Sequence, residues 1–271
     1  GEFDDIDMSM MIHSQKNSPT PLVAVGTSSN GFIAKTIQYV GKSAHAADAP
    51  DQGINALNAA MLGLLGINCL RETFKEADTV RVHPIITKGG DLVNNVPDDV
   101  RIETYVRGKT MEAINKTNAK VDNALRAGGL AIGAKVHINT LPGELPLVCN
   151  AALNDLFVAN AKDAFPGVEV VDAGHFSAST DMGDVSHLMP AIHPFVGGVD
   201  GLLHGSNFKV VDFKSAAMLP GKAFAGMIVD LLSDGAEKSK AILKDYKPVL
   251  TKEQYIAQMD SYLKEEGEEE A

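Results

Sequence analysis

The chain has 271 residues, 45% of them apolar and 22% charged, a balance that suits one large or two ordinary globular domains rather than a disordered chain. Its formal net charge of -11 argues against a nucleic-acid partner, because phosphate binding needs clustered Lys and Arg. The two cysteines, Cys69 and Cys149, form no disulfide framework or metal-ligand spacing, which fits a reducing cytoplasm, and the apolar run at 61–70 is too short and too interrupted by Gly63, Gly66 and Asn68 to span a bilayer.

A first strand is predicted at residues 9–12, ending beside His13. Residues 32–40 alternate in strand fashion, with Ile33, Lys35, Ile37 and Tyr39 against Ala34, Thr36 and Gln38. Residues 55–74 set Leu57, Met61, Leu64, Leu65 and Leu70 near helical spacing. Two β-rich runs follow at 80–87 and 100–107, separated by Gly89-Gly90-Asp91 and Pro97-Asp98-Asp99. A helix over 110–128 carries Met111, Ile114, Val121 and Leu125 on one side, and 135–139 closes with a strand.

The order from 31 to 144 is therefore β-α-β-β-α-β, a ferredoxin-like sandwich whose open sheet edges can pair with another chain. Residues 1–30 and 145–271 flank it, so it reads as an insertion in a larger α/β domain. In that outer part a helix is expected at 150–165, a strand at 169–171, an amphipathic helix at 212–232 and one or two polar helices over 237–265. The acidic tail from Glu265 to Glu270 reads as solvated.

Three of the eight histidines stand at strand ends or in loops of small residues: His13, His45 in Gly41-Lys-Ser-Ala-His45-Ala-Ala, and His204 in Gly201-Leu-Leu-His204-Gly-Ser. A histidine at a buried strand end faces the crevice where open α/β sheets bind ligands, and neutral imidazole is a common zinc ligand. Taken alone, each reads equally as a packing or capping group. No His-Glu-x-x-His or Cys-x-x-Cys pattern occurs, so a metal site would be assembled from distant segments. The turn Ser177-Ala-Ser-Thr180-Asp181-Met-Gly-Asp184 can cap a helix or line a site. There is no phosphate-binding glycine loop and no Gly-x-Ser-x-Gly elbow.

Met11-Ile-His13, Gly41-Lys-Ser-Ala-His45, Gly53-Ile-Asn55, Gly89-Gly90 with Asn94 and Pro97, Ser179-Thr-Asp181-Met-Gly-Asp-Val-Ser186, Pro190-Ala-Ile-His193-Pro and Leu203-His204, in this order, resemble the zinc-dependent aminoacylase, carboxypeptidase and dipeptidase family. The likeness is to its amidohydrolase branch, which includes aminobenzoyl-glutamate hydrolases and β-alanyl-lysine dipeptidases. The resemblance implies a catalytic α/β domain (1–30 and 145–271) holding zinc, manganese or cobalt, and an inserted lid (31–144) that also forms a homodimer. It implies that His13 and His204 are metal ligands and that His45 is the lid histidine polarising the scissile carbonyl in the partner's site. It further implies that Asn94 and Asp181 line the substrate, with His187 and His193 in supporting or packing roles.

The family's His-x-Cys-Gly-His-Asp segment, and the Glu-Glu pair that supplies the general base and another ligand, would lie upstream of what corresponds to Gly1, so the resemblance implies an N-terminally truncated form. The expected activity is metal-dependent hydrolysis of an amide bond in small N-acyl amino acids, aminoacyl-glutamates or dipeptides. The alternative is a non-catalytic dimerisation or binding protein derived from such an enzyme.

Overall fold

A computed structural model describes residues 2–266; residues 267–271 of the acidic tail lie outside the described residues. In chain order the elements are β1 (Ser9–Met10), β2 (His13–Lys16), β3 (Leu22–Val25), β4 (Ser28–Ser29), β5 (Gly31–Val40), α1 (Ala56–Leu70), β6 (Arg81–Val82), β7 (Ile85–Lys88), β8 (Asp99–Gly108), α2 (Met111–Ile132) and β9 (Lys135–Pro142). There follow α3 (Ala151–Ala164), β10 (Glu169–Asp172), β11 (His175–Phe176), α4 (Met182–Leu188), β12 (Ala191–Ile192), β13 (Phe195–Asp200), β14 (Lys209–Val210), α5 (Leu219–Leu232), α6 (Glu237–Asp245), α7 (Lys252–Tyr262) and β15 (Lys264–Glu266). They divide into an outer unit of residues up to Ser29 with Leu147–Glu253, and an inner unit of Asn30–Pro146 with the segment from Gln254 onward.

The inner unit is built on an antiparallel sheet in the order β15-β9-β5-β8-β6, with β7 also on β8. Its central ladder, β5 on β8, runs unbroken from Gly31↔Gly108 to Val40↔Asp99. The predicted strand at 80–87 is split into β6 and β7 at His83-Pro84, where proline cannot donate to a ladder. One sheet face carries α1 and α2 over a core of Ile33, Ile37, Tyr39, Val100, Ile102, Ile114 and Leu125. Thr110 caps α2 by accepting from the Ala113 N–H at 3.1 Å, and Gly133 ends it in a left-handed conformation.

Two sequence expectations change here. The buried face of α1 is not the leucine row but Ala56, Ala59, Ala60, Gly63 and Ile67, while Met61 and Leu65 are 56% and 57% exposed. Small residues win that face because α1 and α2 approach closely: a Cβ on Gly128 would stand 2.4 Å from the Ala59 carbonyl oxygen. The helices expected over 237–265 are α6 and α7, but the end of the chain was assigned to the outer domain, whereas Met259 and Tyr262 pack into the inner core and β15 pairs with β9 through Lys264↔Thr140, covering an edge that would otherwise present unpaired amides.

The outer unit has shorter strands in a sheet of order β10-β3-β13-β14, with β2 parallel to β13. Two small parallel pairs, β1 with β12 and β4 with β11, stand outside that sheet. Val23, Leu153, Phe157, Ile192, Val196, Leu219, Ala223 and Met227 form the core under α3 and α5. Gly198 turns β13 at φ +124°, where a Cβ would meet Ala216 at 2.6 Å. A π-helical turn, Lys214–Met218, then leads into α5. The resulting stretch Lys214–Leu232 is 19 residues, long and apolar enough by length and composition to cross a membrane, which the apolar runs in the sequence did not lead us to expect. Its Leu219, Ala223 and Met227 are wholly buried in the outer core, while Met218, Ile228, Val229 and Leu232 are exposed, so one face of the helix packs and the other does not.

Candidate functional site

In the outer unit, β2 and β13 run parallel with His13 opposite Phe195, and the His13 N–H donates to the Pro194 carbonyl at 3.0 Å. The ring of His13 is fixed from one side: its Nδ1 lies 2.8 Å from the carbonyl oxygen of Ser14. A carbonyl partner makes Nδ1 the protonated nitrogen, so Nε2 keeps its lone pair for a metal or an acid. A carbonyl bonded to the far nitrogen sets the tautomer of metal-binding histidines in this way.

The neighbour of His13 is His193, at the end of β12, with ring centroids 5.8 Å apart and planes at 80°. Phe195 packs against both rings, at 5.1 and 5.4 Å. His193 is 1% exposed, and neither of its ring nitrogens has a hydrogen-bond partner. Burial, followed by the charge on His13, lowers its pKa to about 4, with Asp181 pulling the other way. The imidazole is therefore neutral at pH 7, as a ligand must be. The backbone N–H of His193 hydrogen-bonds the sulfur of Cys149, whose pKa burial raises, so that thiol stays protonated. His187 is buried and its carbonyl accepts from the Leu250 N–H at 3.1 Å.

His204 stands exposed in a turn and takes a left-handed conformation at φ +62°, a strained choice for a non-glycine residue that functional sites often hold. Its loop shares a cavity of about 660 Å³ with the strand after His13: Gly201, Leu202 and Leu203 line it with Ser14, Gln15 and Phe195. Gln15 Nε2 and Thr27 Oγ1, on the same cavity, are buried without a hydrogen-bond partner. Asp181 is exposed at the start of α4, and its side chain makes no cap; the Met182 N–H reaches Thr180 Oγ1 at 3.4 Å instead. Sequence reading assigned His193 to packing or support, and Gln15 and Thr27 to nothing. The bracket Pro190-Ala-Ile-His193-Pro was the available signal, since prolines on both sides mark a strand end.

The inner unit holds His45 and Asn94. Their segments are cross-paired: the Ala46 N–H donates to the Asn94 carbonyl at 2.8 Å and the Val96 N–H to that of Ala44 at 2.9 Å. His45 is exposed, and its Nδ1 accepts from the N–H groups of Ala47 at 3.2 Å and Asp48 at 3.0 Å. An accepting Nδ1 puts the proton of the neutral ring on Nε2, so His45 presents a fixed donor. Beside it Ala46, Pro50, Gly53, Gly90, Leu92 and Asn95 line a second cavity of about 660 Å³.

Residues 27–132 match the peptidase dimerisation domain family. Over 266 residues the chain is 30% identical to the Xaa-Arg dipeptidase of Mus musculus, covering 94% of this chain and 59% of that protein. The chain thus carries a dimerisation domain of the M20 peptidase type. The human Xaa-Arg dipeptidase is 28% identical with the same coverage, so the chain spans about three-fifths of the length of these relatives. Solved structures share the fold: an aminobenzoyl-glutamate utilization protein from Klebsiella pneumoniae matches with a TM-score of 0.65 at 17% identity, over 88% of this chain and 57% of that one. A dinuclear metal binding peptidase of the M20 family from Bacillus subtilis matches with a TM-score of 0.64 at 16% identity, over 86% and 59%.

The donor chemistry of the outer unit fits a divalent metal of the kind that the Bacillus subtilis peptidase is described as binding. His13 has one nitrogen anchored and one available, His193 has two unpartnered nitrogens, and imidazole suits zinc, manganese and cobalt. Among the described residues no group of three or more His, Cys, Asp or Glu has the arrangement of a complete site.

Proposed function

We propose that the protein is a metal-dependent amidohydrolase acting on the amide bond of dipeptides, N-acyl amino acids or aminoacyl-glutamates. The observation that carries this reading is the chain-long similarity to Xaa-Arg dipeptidases, joined to histidines whose free nitrogens are set by backbone partners. A bound divalent ion, zinc by preference, would polarise the carbonyl and acidify a water. His13 and His204 would hold it. His45 would donate from Nε2 to the developing oxyanion, and Asn94 and Asp181 would orient the substrate.

A homodimer through the inner unit belongs to the same proposal. It is supported by the dimerisation-domain match and by the exposed apolar row Met61, Leu62 and Leu65 on α1. No role for nucleic acid or membrane is proposed. A cytoplasmic location is supported by the two free cysteines.

The test is hydrolysis of a panel of Xaa-Arg dipeptides and N-acyl amino acids before and after chelation and metal return. Activity should vanish with chelator and return with metal. His45→Ala should lower kcat about 100-fold or more without moving the unfolding midpoint, because the side chain is exposed. Activity indifferent to chelator would sink the reading. A second reading, a binding protein without catalysis, is favoured by the lack of a three-donor cluster among the described residues. It predicts dimerisation with no turnover of any substrate in the panel.

A further inference from the structure

His193 is a buried imidazole with nothing to bind. It is almost completely enclosed, yet both ring nitrogens lack a partner, an arrangement that proteins avoid because an unpaired buried polar atom destabilises the fold. Packing alone does not account for it: a phenylalanine would fill a similar volume against His13 and Phe195 without stranding two nitrogens. Something absent from the chain's own hydrogen bonding is therefore expected to satisfy at least one of them.

The geometry of its neighbour says what that is. Two imidazoles on one tetrahedral zinc, at Zn–N distances of about 2.0–2.1 Å, have ring centroids roughly 5 Å apart; those of His13 and His193 are 5.8 Å apart and steeply inclined. His13 already has Nδ1 on the Ser14 carbonyl, which leaves Nε2 for the ion. Phe195 braces both rings, and their segments are tied by the His13 N–H on the Pro194 carbonyl, so the pair is pre-set by backbone pairing. We propose that His193 is a metal ligand, sharing one divalent transition-metal ion with His13. The inference rests on the metal-dependent reading above and gives that site a ligand drawn from the end of β12.

The experiment is a Co(II) titration of the full chain, followed by visible d–d absorption and calorimetry, with His13→Ala, His193→Phe and His193→Gln alongside. The expected result is that each substitution weakens cobalt binding at least about tenfold and that the His193 variants also change the absorption band. Thermal unfolding of the metal-free forms serves as the folding check, and the smaller His193→Gln change stands in if the phenylalanine variant does not fold. If His13→Ala loses cobalt while both His193 variants bind like the unmodified chain, the His193 assignment is overturned and the metal-dependent reading stands. If the unmodified chain takes up no cobalt, both fall.

Discussion

Two buried nitrogenous side chains, one in each unit, are treated oppositely. Lys35 lies on the core face of β5, enclosed on all sides, and its Nζ donates to Thr140 Oγ1 at 2.6 Å and pairs with Asp122 at 2.8 Å. Asp122 is held in turn by the Asn118 amide at 3.2 Å. His193 is equally enclosed and has no such partners. A buried polar group whose partners all come from its own unit is a structural device; one left open in an otherwise well-packed core points to a ligand. The comparison also separates the two units: a long unbroken ladder carries Lys35, whereas His193 sits beside short strands.

The sharpest way to break that contrast is to strand Lys35. Asp122→Ala should destabilise the chain by about 3–5 kcal/mol, the usual loss when one partner of a buried ion pair is removed, read from denaturant unfolding. The double replacement Lys35→Met with Asp122→Leu should recover most of that loss; a double variant as unstable as the single would show that the charge was not the cause. Next in size, Gly128→Ala should lose about 1–3 kcal/mol by wedging α1 away from α2, because the new Cβ would meet Ala59 and Gly63 backbone atoms at 2.4–2.9 Å. In the other unit, metal-free His193→Phe should match or exceed the unmodified chain by up to about 1 kcal/mol, since it removes an unsatisfied group.

The smallest effect concerns Asp99. Burial raises its pKa, but hydrogen bonds from Gln38, Arg101 and Lys88 outweigh that and bring it to about 2. A carboxyl lowered from 3.8 to about 2 stabilises the fold above the unfolded pKa and loses that contribution as pH falls through the folded one. Because Asp99 is only partly buried and its cationic partners Lys88 and Arg101 reach solvent, the loss should stay below about 1 kcal/mol, visible as a shallower acid dependence of the unfolding midpoint in Asp99→Asn.

How much of this was legible in the sequence follows from what local pattern can carry. The alternation of 32–40 placed Lys35 on the face of Ile33 and Ile37, and the structure agrees; its partners Asp122 and Thr140 could not be read, because they come from distant elements. The helix over 55–74 was legible as a helix but not in orientation. Leucine spacing suggested one face, and the contact of Gly63 with Gly128 selected another. Sequence singled out His13, and the structure sets it beside His193 rather than in isolation. The orphaned state of His193 depends on what every neighbouring group does, which no linear pattern records. The strand at 264–266 was invisible for a similar reason: its stability comes from the edge of β9, not from its own residues.

That terminal strand has a consequence for synthesis. β9 ends at Pro142 and its partner begins at Lys264, so the ribosome must make the whole of Leu147–Glu253 in between. At ordinary elongation rates this takes on the order of ten seconds. Throughout that interval the nascent inner unit carries an unguarded β edge and lacks Tyr262 from its core. The inner unit therefore closes only after the second segment of the outer unit, Leu147–Glu253, has been made.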